Sequence, residues 1–422
     1  MSEYQENPLY QEVLANPYDL EPRFVFADWL EEHGDQRCDV IRMQFRLENM
    51  TPGERGYSTL KTKARKLFKR VGGFGSVRGI TSCKEEYRAG FVDRIELTPT
   101  RFRDHAAKLF SIAPLRRVRL KGVCKSFDKI ASLTQLTQVC EVELKSTQID
   151  DRNFRALAHS PFLTGLQSFS VHSDELTSAG RDIAQSTLLD NLESLLVSGR
   201  LIDDKSTAYI AEHAVSLKKL ALRSRLSDES LYSIAKAPGL SSLNSLEIGT
   251  PWGSQAEFNE KALRHFAESS PGESPAAQPL RGFAIRGVQP GFARAFDGPR
   301  FSKLEELTVG STRISDADFE AILNRLNNLN YMDCTYTNLG DGAMRLLADN
   351  PLLANLQKLY LSGNRISKKG VDSILASKHF NKSTKFYFNG NALKANEIDA
   401  IKERAGKTFG NFSRDSSCWY YG

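Results

Sequence analysis

The chain has 422 residues, of which 40% are hydrophobic and 26% charged, so it is long enough for more than one compact domain and has the composition of a folded protein. Its formal net charge of +6 is small for this length and gives little support to a nucleic-acid-binding protein. No stretch approaches the ~18–20 apolar residues of a membrane span, so no membrane span is predicted.

The cysteines and the first residues predict a compartment. The six cysteines are scattered, with no Cys-x-x-Cys pair, and the first 20 residues lack a basic start followed by an apolar run. Scattered cysteines without a secretory signal are typical of reduced thiols. We therefore expect a cytoplasmic protein.

Residues 1–50 are predicted to form a small all-α domain. Three helices are expected, over residues 7–16, 22–33 and 38–50. The second has an apolar side, to which Phe24, Ala27 and Leu30 contribute, and Gly34 follows it, as glycine does at many helix ends.

The second predicted helix carries a specific run of residues. Ala27-Asp-Trp-Leu-Glu-Glu-His-Gly-Asp35 is followed by Arg37 and by Ile41-Arg42-Met-Gln44. This run resembles the bacterial repeat-companion domain, a short module found at the front of repeat proteins. The family usually has Gly-Glu after the arginine, where Cys38-Asp39 stands here, and Tyr87-Arg-Ala-Gly-Phe-Val92 resembles its bridge into the first repeat. The resemblance implies architecture without an activity, and we expect Trp29 and Asp28 to be structural.

Residues 51–89 are predicted to be a connector. It contains a basic helix, with six positive charges in the ten residues 61–70. Such a helix can meet phosphate or anionic lipid, although a solvated helix face is the commoner role.

A short pattern then recurs twelve times: an apolar residue, two free residues, an apolar residue, one free residue and an apolar residue. Its middle apolar residues are Ile95, Val118, Val142, Phe169, Leu195, Leu220, Leu246, Phe283, Leu307, Met332, Leu359 and Phe386. Their mean spacing is about 26 residues, within the range of leucine-rich repeats. Ten of the eleven gaps lie between 23 and 27 residues, so we predict about twelve repeats over residues 90–395.

Each repeat is predicted to be a strand, a turn and a helix. Alternating apolar residues indicate a strand with one buried face, and Ser315 and Ser367 are placed to cap the helices that follow them. The period and the helix resemble the ribonuclease-inhibitor-like subclass of leucine-rich repeats. The fold class is therefore α/β, a solenoid with a curved parallel β-sheet inside and helices outside, preceded by the all-α domain.

The turn after each strand departs from the family pattern in most repeats. The motif has an asparagine five residues after the middle apolar residue, where its amide bonds the backbone of adjacent turns. Only Asn364 and Asn391 supply it, and Thr147, Thr312 and Thr337 are partial substitutes. We therefore expect looser central turns.

Two segments interrupt or end the repeats. One spacing is long, and its extra residues, at about 250–280, include Thr250-Pro-Trp-Gly-Ser and a Ser/Pro-rich run typical of a loop insertion. Residues 396–422 are predicted to be a C-terminal capping helix and tail.

Motifs of catalysis were sought throughout the sequence. Gly406-Lys407-Thr408 resembles the end of a phosphate-binding loop, but Ile401 stands where its first glycine is needed. There is no Gly-x-Ser-x-Gly or His-Glu-x-x-His, and the seven histidines show no paired metal-ligand spacing. We predict no catalytic residues, no metal, no cofactor and no enzyme activity.

Function is then predicted from the concave face of the sheet. Residues that flank the middle apolar residue of each strand point away from the core. They are charged in the first repeats, mostly small in the middle and rich in tyrosine near the end. The residues expected to contact a partner are Tyr331, Asp333, Lys358, Tyr360, Lys385, Tyr387, Arg117 and Arg119.

Three classes of function stay open. The leading one is a protein-binding scaffold, a monomer that recognises a protein partner on this face, since tyrosines beside charged groups are favoured as interface anchors. The second is a nucleic-acid or anionic-surface binder that uses residues 61–70 with Arg117, Arg119 and Lys121. The third is a regulator of a partner enzyme, such as a GTPase activator, on the resemblance to other helical leucine-rich-repeat proteins.

Overall fold

A computed structural model describes residues 4–51, 54–123, 126–145, 149–199, 203–249, 258–269 and 278–405. The chain divides into two compact units, residues 1–176 with 186–192, and residues 177–185 with 193–422. The Gly-Lys-Thr sequence at 406–408 and the loop sequences at 250–257 and 270–277 lie outside the described residues.

The first unit begins with four helices. They are α1 (Pro8–Ala15), α2 (Glu21–Glu32), α3 (Arg37–Glu48) and α4 (Tyr57–Val71). The three helices predicted at the front of the chain are confirmed to within about two residues at each end. Asn7 caps α1, because its Oδ1 accepts the Leu9 amide at 2.8 Å. Gly34 follows α2 with a φ of 72°, a conformation that few other residues adopt.

An aromatic core joins these helices to the strand that follows. Tyr10, Phe26, Phe74 and Phe91 are at most 3% exposed, and the Phe26 and Phe74 rings meet edge-to-face at 5.1 Å. Arg23 is fully buried beside Phe91 and donates to the Arg88 carbonyl oxygen at 2.9 Å. Burial lowers the pKa of Arg23 to about 10. The helices and the first strand therefore share one core.

The distinctive run in α2 has structural contacts. Trp29 is partly buried and stacks on Phe26 with 5.9 Å between ring centroids. Asp28 and Glu31 each accept a bond from Arg42 of α3 at 2.7 Å. The run thus holds α2 against α3, as expected for Trp29 and Asp28.

Five strands belong to the first unit. They are β1 (Lys84–Arg88), β2 (Phe91–Leu97), β3 (Arg117–Lys121), β4 (Glu141–Lys145) and β5 (Ser168–His172). β1 is antiparallel to β2, whereas β2 to β5 pair in parallel. Sequence analysis did not predict β1, because Lys-Glu-Glu-Tyr-Arg has no apolar alternation and no residue of it is fully buried.

Eight strands belong to the second unit. They are β6 (Ser194–Ser198), β7 (Lys219–Arg223), β8 (Ser245–Ile248), β9 (Gly282–Arg286), β10 (Glu306–Gly310), β11 (Tyr331–Asp333), β12 (Lys358–Tyr360) and β13 (Lys385–Tyr387). All neighbouring pairs among them are parallel, and the sheet order from β1 to β13 follows the chain. The twelve repeats predicted from the sequence coincide with β2 to β13.

The register places the middle apolar residues side by side. Leu195 pairs with Leu220, Leu220 with Leu246, and Leu359 with Phe386. The predicted burial of Ile95, Leu195, Leu220, Leu307 and Leu359 is confirmed, since each is at most 1% exposed. This row of side chains forms the centre of the core in each unit.

Helices follow most of the strands. In the first unit they are α5 (Pro99–Phe110), α6 (Phe127–Ala131), α7 (Asp151–Ala158) and α9 (Leu188–Asn191). In the second they are α8 (Ala179–Ala184), α10 (Asp204–His213), α11 (Asp228–Lys236), α12 (Glu260–Glu268), α13 (Asp316–Arg325), α14 (Asp341–Asp349), α15 (Leu352–Asn355), α16 (Lys368–Ala376) and α17 (Ala395–Ala405). The predicted caps are confirmed, because Ser315 accepts the Asp318 amide at 3.0 Å and Ser367 the Lys369 amide at 3.2 Å.

The two predicted asparagines link neighbouring turns. Asn364 is 6% exposed, and its Nδ2 donates to the carbonyl oxygens of Cys334 at 2.7 Å and Leu361 at 2.9 Å. Its Oδ1 accepts the amides of Thr337 at 3.1 Å and Leu339 at 2.9 Å. Asn391 bonds the next turn in the same way, and Thr312 substitutes in part by accepting the Val288 amide at 3.1 Å.

Candidate functional site

The face of the strands that carries the flanking residues is called the polar face here. Successive side chains of a strand point to opposite sides, so the residues on either side of a buried middle residue share one face. In β3, Arg117 and Arg119 flank the buried Val118, and in β12, Lys358 and Tyr360 flank the buried Leu359. The predicted partner-contacting residues therefore lie on the polar face, two of them in the first unit and six in the second.

In the first unit the polar face is a network of ion pairs. Parallel, in-register strands place Glu96, Arg119 and Glu143 next to one another. Arg119 Nε lies 2.6 Å from Glu143 and its Nη1 3.2 Å from Glu96. Arg94 pairs with Glu141 and, at 3.4 Å, with Glu86. The charges predicted here are thus neutralised within the strands.

Arg117 is held by a buried acid that sequence analysis missed. Asp93 is fully buried, and its carboxylate accepts Arg117 Nε at 2.5 Å and Arg116 Nε at 2.6 Å. Asp93 occupies a position in β2 that the repeat pattern treats as free, so no signal in the sequence distinguished it. Both arginines predicted to contact a partner are engaged in internal ion pairs, with side chains 28% and 25% exposed.

A second ion cluster occupies the middle strands of the second unit. Glu247 of β8 accepts Arg223 Nε at 2.9 Å and Arg286 Nη1 at 2.5 Å. Burial disfavours the charged form of Glu247, but the two arginines outweigh it and lower the pKa of this carboxyl group. Sequence analysis described the middle strands by their small residues and overlooked this cluster, although Glu247 flanks the buried Leu246.

Three tyrosines meet on β11, β12 and β13. The Tyr360 and Tyr387 rings are parallel within 2° with centroids 4.2 Å apart, and Tyr331 lies 5.4 Å from Tyr360. All three are partly exposed. Burial, with a contribution from Tyr387, raises the pKa of Tyr360 to about 12, and burial also raises the pKa of Tyr331. We call Tyr331, Tyr360 and Tyr387 the tyrosine cluster.

Asp333 has a different environment from the one predicted. It is only 1% exposed, and its Oδ1 accepts the Thr335 amide at 2.9 Å and the Thr335 hydroxyl at 2.5 Å. A carboxylate this buried does not offer a contact surface. Asp333 instead fixes the turn after β11, next to Tyr360 in the register of the strands.

Two lysines flank the tyrosine cluster. Lys358 and Lys385 are exposed and are direct neighbours in the parallel register of β12 and β13. Neither has an ion-pair partner among the residues that the structure describes. Adjacent like charges repel each other, so this pair of lysines is a site of uncompensated positive charge.

Tyr336 is an aromatic residue that sequence analysis missed. It lies in the turn after β11, has a φ of 56° and is 47% exposed. Its ring lies over Gly363, where an added Cβ would stand 2.2 Å from the ring. The only sequence signal was a Tyr-Thr-Asn stretch outside the strand pattern, where the repeat gives no expectation.

The predicted basic helix is α4. All six of its cations are exposed, and within the described ranges none of them forms an ion pair with a carboxylate. Arg70 donates to the Gln36 amide oxygen at 2.8 Å, and Lys61 lies 5.5 Å from the Tyr57 ring centroid. The charge of α4 is therefore free to act on its surroundings, unlike that of Arg117 and Arg119.

Groups that hold a metal were also sought. In the described part of the chain, no three His, Cys, Asp or Glu side chains are arranged to hold a metal ion. Over the same ranges, no helix is long and apolar enough to cross a membrane.

The repeats define the class of protein. Strands β2 to β13 each carry the same apolar pattern, most are followed by a helix, and their neighbours pair in parallel and in chain order. Together with the asparagine bonds between turns, this is the fold of a leucine-rich-repeat protein.

The particular protein was compared with known ones. An internalin (inlF) from Listeria monocytogenes is 15% identical, with a TM-score of 0.39, and the match covers 71% of this chain and 74% of that one. The yeast Rad7 and Elc1 complex contains a chain 17% identical, with a TM-score of 0.41, covering 71% of this chain and 75% of that one. No protein-family model and no curated protein matches the sequence.

Proposed function

We propose that this protein is a non-catalytic scaffold that binds a partner protein on its polar face, centred on the tyrosine cluster. The observation that carries the proposal is the packing of Tyr331, Tyr360 and Tyr387 on three neighbouring strands, with ring centroids 5.4 and 4.2 Å apart. Rings already ordered by one another lose little freedom on binding, and tyrosine provides both apolar area and a hydroxyl.

The charge beside the tyrosine cluster defines the chemistry of the partner. Lys358 and Lys385 are exposed neighbours without a carboxylate partner in the described residues. An acidic side chain of the partner would relieve their repulsion and would be held next to the tyrosine hydroxyls. The proposed partner surface therefore combines an apolar or aromatic group with at least one carboxylate.

The proposal is tested by affinity capture with variants. Proteins bound from a lysate of the source organism are quantified for the wild type, for Y360A/Y387A and for Tyr209→Ala. Tyr209 is a matched control, because it is partly exposed on α10 and likewise contacts a cation, Arg181, at 5.5 Å. A protein retained by the wild type and the control but lost from the double variant supports the site, whereas an identical set for all three contradicts it.

A second candidate, binding to nucleic acid or an anionic surface, is favoured by one observation. The six cations of α4 have no carboxylate partner in the described ranges, although Arg117 and Arg119 are ion-paired and no longer contribute. Affinity for a phosphate polymer through α4 would fall steeply with salt, whereas binding through the tyrosine cluster would fall little.

A further inference from the structure

An open groove lies between α3 and α4 in the first unit. It has a volume of about 740 Å³ and is lined by Asp39, Met43, Ser58, Thr59, Thr62, Lys63, Lys66, Leu67 and Arg70. Met43 is partly exposed, and Leu67 is 9% exposed. This volume is within the range of about 300–1,000 Å³ that binding clefts have.

The cations of α4 divide into two sets. Lys63, Lys66 and Arg70 line the groove, at the three- and four-residue spacing that places side chains on one face of a helix. The other three, Lys61, Arg65 and Lys69, recur every four residues and do not line it. Asp39 is the one acid among the lining residues, against three cations.

We propose that this groove binds an acidic, amphipathic segment of a partner protein. Apolar side chains of the segment would pack on Met43 and Leu67, and its carboxylates would pair with Lys63, Lys66 and Arg70. An amphipathic helix laid into a groove is a common mode of peptide recognition. The proposal concerns a second surface and does not rest on the tyrosine cluster.

The lining favours a peptide over a nucleic acid. Single-stranded nucleic acids are usually bound by aromatic side chains on which bases stack, and none of the groove-lining residues is aromatic. Asp39 would repel a phosphate backbone, whereas the hydroxyls of Thr59 and Thr62 can bond to peptide groups. The apolar residues Met43 and Leu67 have no role in holding a phosphate.

The test uses the full chain and three probes. The first is a synthetic helical peptide with leucine at every third or fourth position and glutamate elsewhere, and the second is a scrambled peptide of the same composition. The third is a single-stranded oligonucleotide of equal charge. Binding is measured by fluorescence anisotropy for the wild type, K63Q/K66Q/R70Q and K61Q/R65Q/K69Q, which remove equal charge from the groove and from the rest of α4.

The expected result separates the groove from general charge attraction. The patterned peptide should bind more tightly than the scrambled one and the oligonucleotide. The groove variant should weaken it by about tenfold or more, which corresponds to about 1.4 kcal/mol, and the control variant by less than about threefold. Met43→Gln, which leaves every cation in place, should also weaken it, and this variant decides the question if the groove variant does not fold.

Several results would overturn the proposal. Equal losses for the two charge variants would show that only total charge matters. Equal affinity for the scrambled peptide, or tighter binding of the oligonucleotide, would replace the peptide groove with a polyanion site. Absence of saturable binding by the patterned peptide would remove the groove as a binding site.

Discussion

Single residues of the same type have different roles according to their burial. Tyr10 is fully buried and its hydroxyl donates to the Ile112 carbonyl oxygen at 2.8 Å, so it is part of the core. Tyr360 is partly exposed, and its ring is ordered by Tyr387. A buried tyrosine stabilises the fold, whereas an ordered and exposed one is available to a partner.

Replacement of Tyr360 tests the proposed contact. Tyr360→Ala should weaken partner binding by about 2 kcal/mol or more, as truncation of an interface anchor does. The free energy of unfolding should fall by only about 0.5–1.5 kcal/mol, because the stacking with Tyr387 is lost. Calorimetric titration and denaturant unfolding of the same variant give the two values, and a fall in stability without a fall in affinity would make Tyr360 structural.

Asn364 is the residue whose loss should disturb the turns most. Asn364→Ala removes the partner of the Thr337 and Leu339 amides and of two carbonyl oxygens, all in a buried turn. We expect a loss of about 2–4 kcal/mol in the free energy of unfolding, because buried unpaired polar groups are unfavourable. Urea unfolding measures it, and a change below about 0.5 kcal/mol, typical of surface positions, would refute this account of the turn.

At the scale of the strand, one face holds the core and the other holds the charges. The middle apolar residues pair in register, as Leu220 does with Leu195 and Leu246, while the flanking charges pair in the same register on the polar face. Parallel strands of equal register therefore align both sets at once. A change on one face of a strand should have effects distinct from a change on the other.

Leu220 and its neighbour Lys219 make this difference measurable. Leu220→Ala should destabilise the protein by about 2–5 kcal/mol, since Leu220 is 1% exposed and its truncation leaves a cavity. Lys219→Ala, at an exposed position of the same strand, should change stability by less than about 0.5 kcal/mol. Thermal or chemical unfolding of both variants checks the register, which would be wrong if the two results were reversed.

The Glu247 cluster gives a prediction about pH. Because Arg286 and Arg223 lower the pKa of Glu247 below its ordinary 4.5, this carboxylate stabilises the folded state above that pH. The stabilisation is lost as the pH falls through the lowered pKa. Glu247→Gln should be less stable than the wild type at neutral pH, by about 2 kcal/mol, and the difference should shrink in acid. A difference that grew as the pH fell below 4.5 would contradict the sign of the shift.

At the scale of the whole molecule, the repeats were predictable and the pairing of charges was not. The apolar pattern identified β2 to β13, because the same spacing recurs and burial depends on residue type alone. β1 was missed because its residues are polar and gain a strand conformation only by pairing with β2. The burial of Asp93 and Asp333 was missed because it depends on contacts with Arg117 and Thr335, which a periodic pattern does not contain.

The candidate site was predicted only in part. The tyrosines were identified because their positions follow from the register, but their stacking depends on side-chain conformations. The groove between α3 and α4 was not predicted, since it arises from the packing of two helices outside the repeats. Charge in residues 61–70 was visible in the sequence, and its lack of carboxylate partners in the described residues was not.

Partner affinity of variants on the two surfaces tests the central claim most directly. Once a partner is identified, its dissociation constant is measured by calorimetry for the wild type, Y360A/Y387A, Tyr209→Ala and K63Q/K66Q/R70Q, all confirmed as folded. The account predicts that Y360A/Y387A weakens binding by about 30-fold or more, equivalent to about 2 kcal/mol, while Tyr209→Ala leaves it unchanged. Full affinity in Y360A/Y387A, with loss in K63Q/K66Q/R70Q, would contradict the claim and place recognition of the partner on α3 and α4.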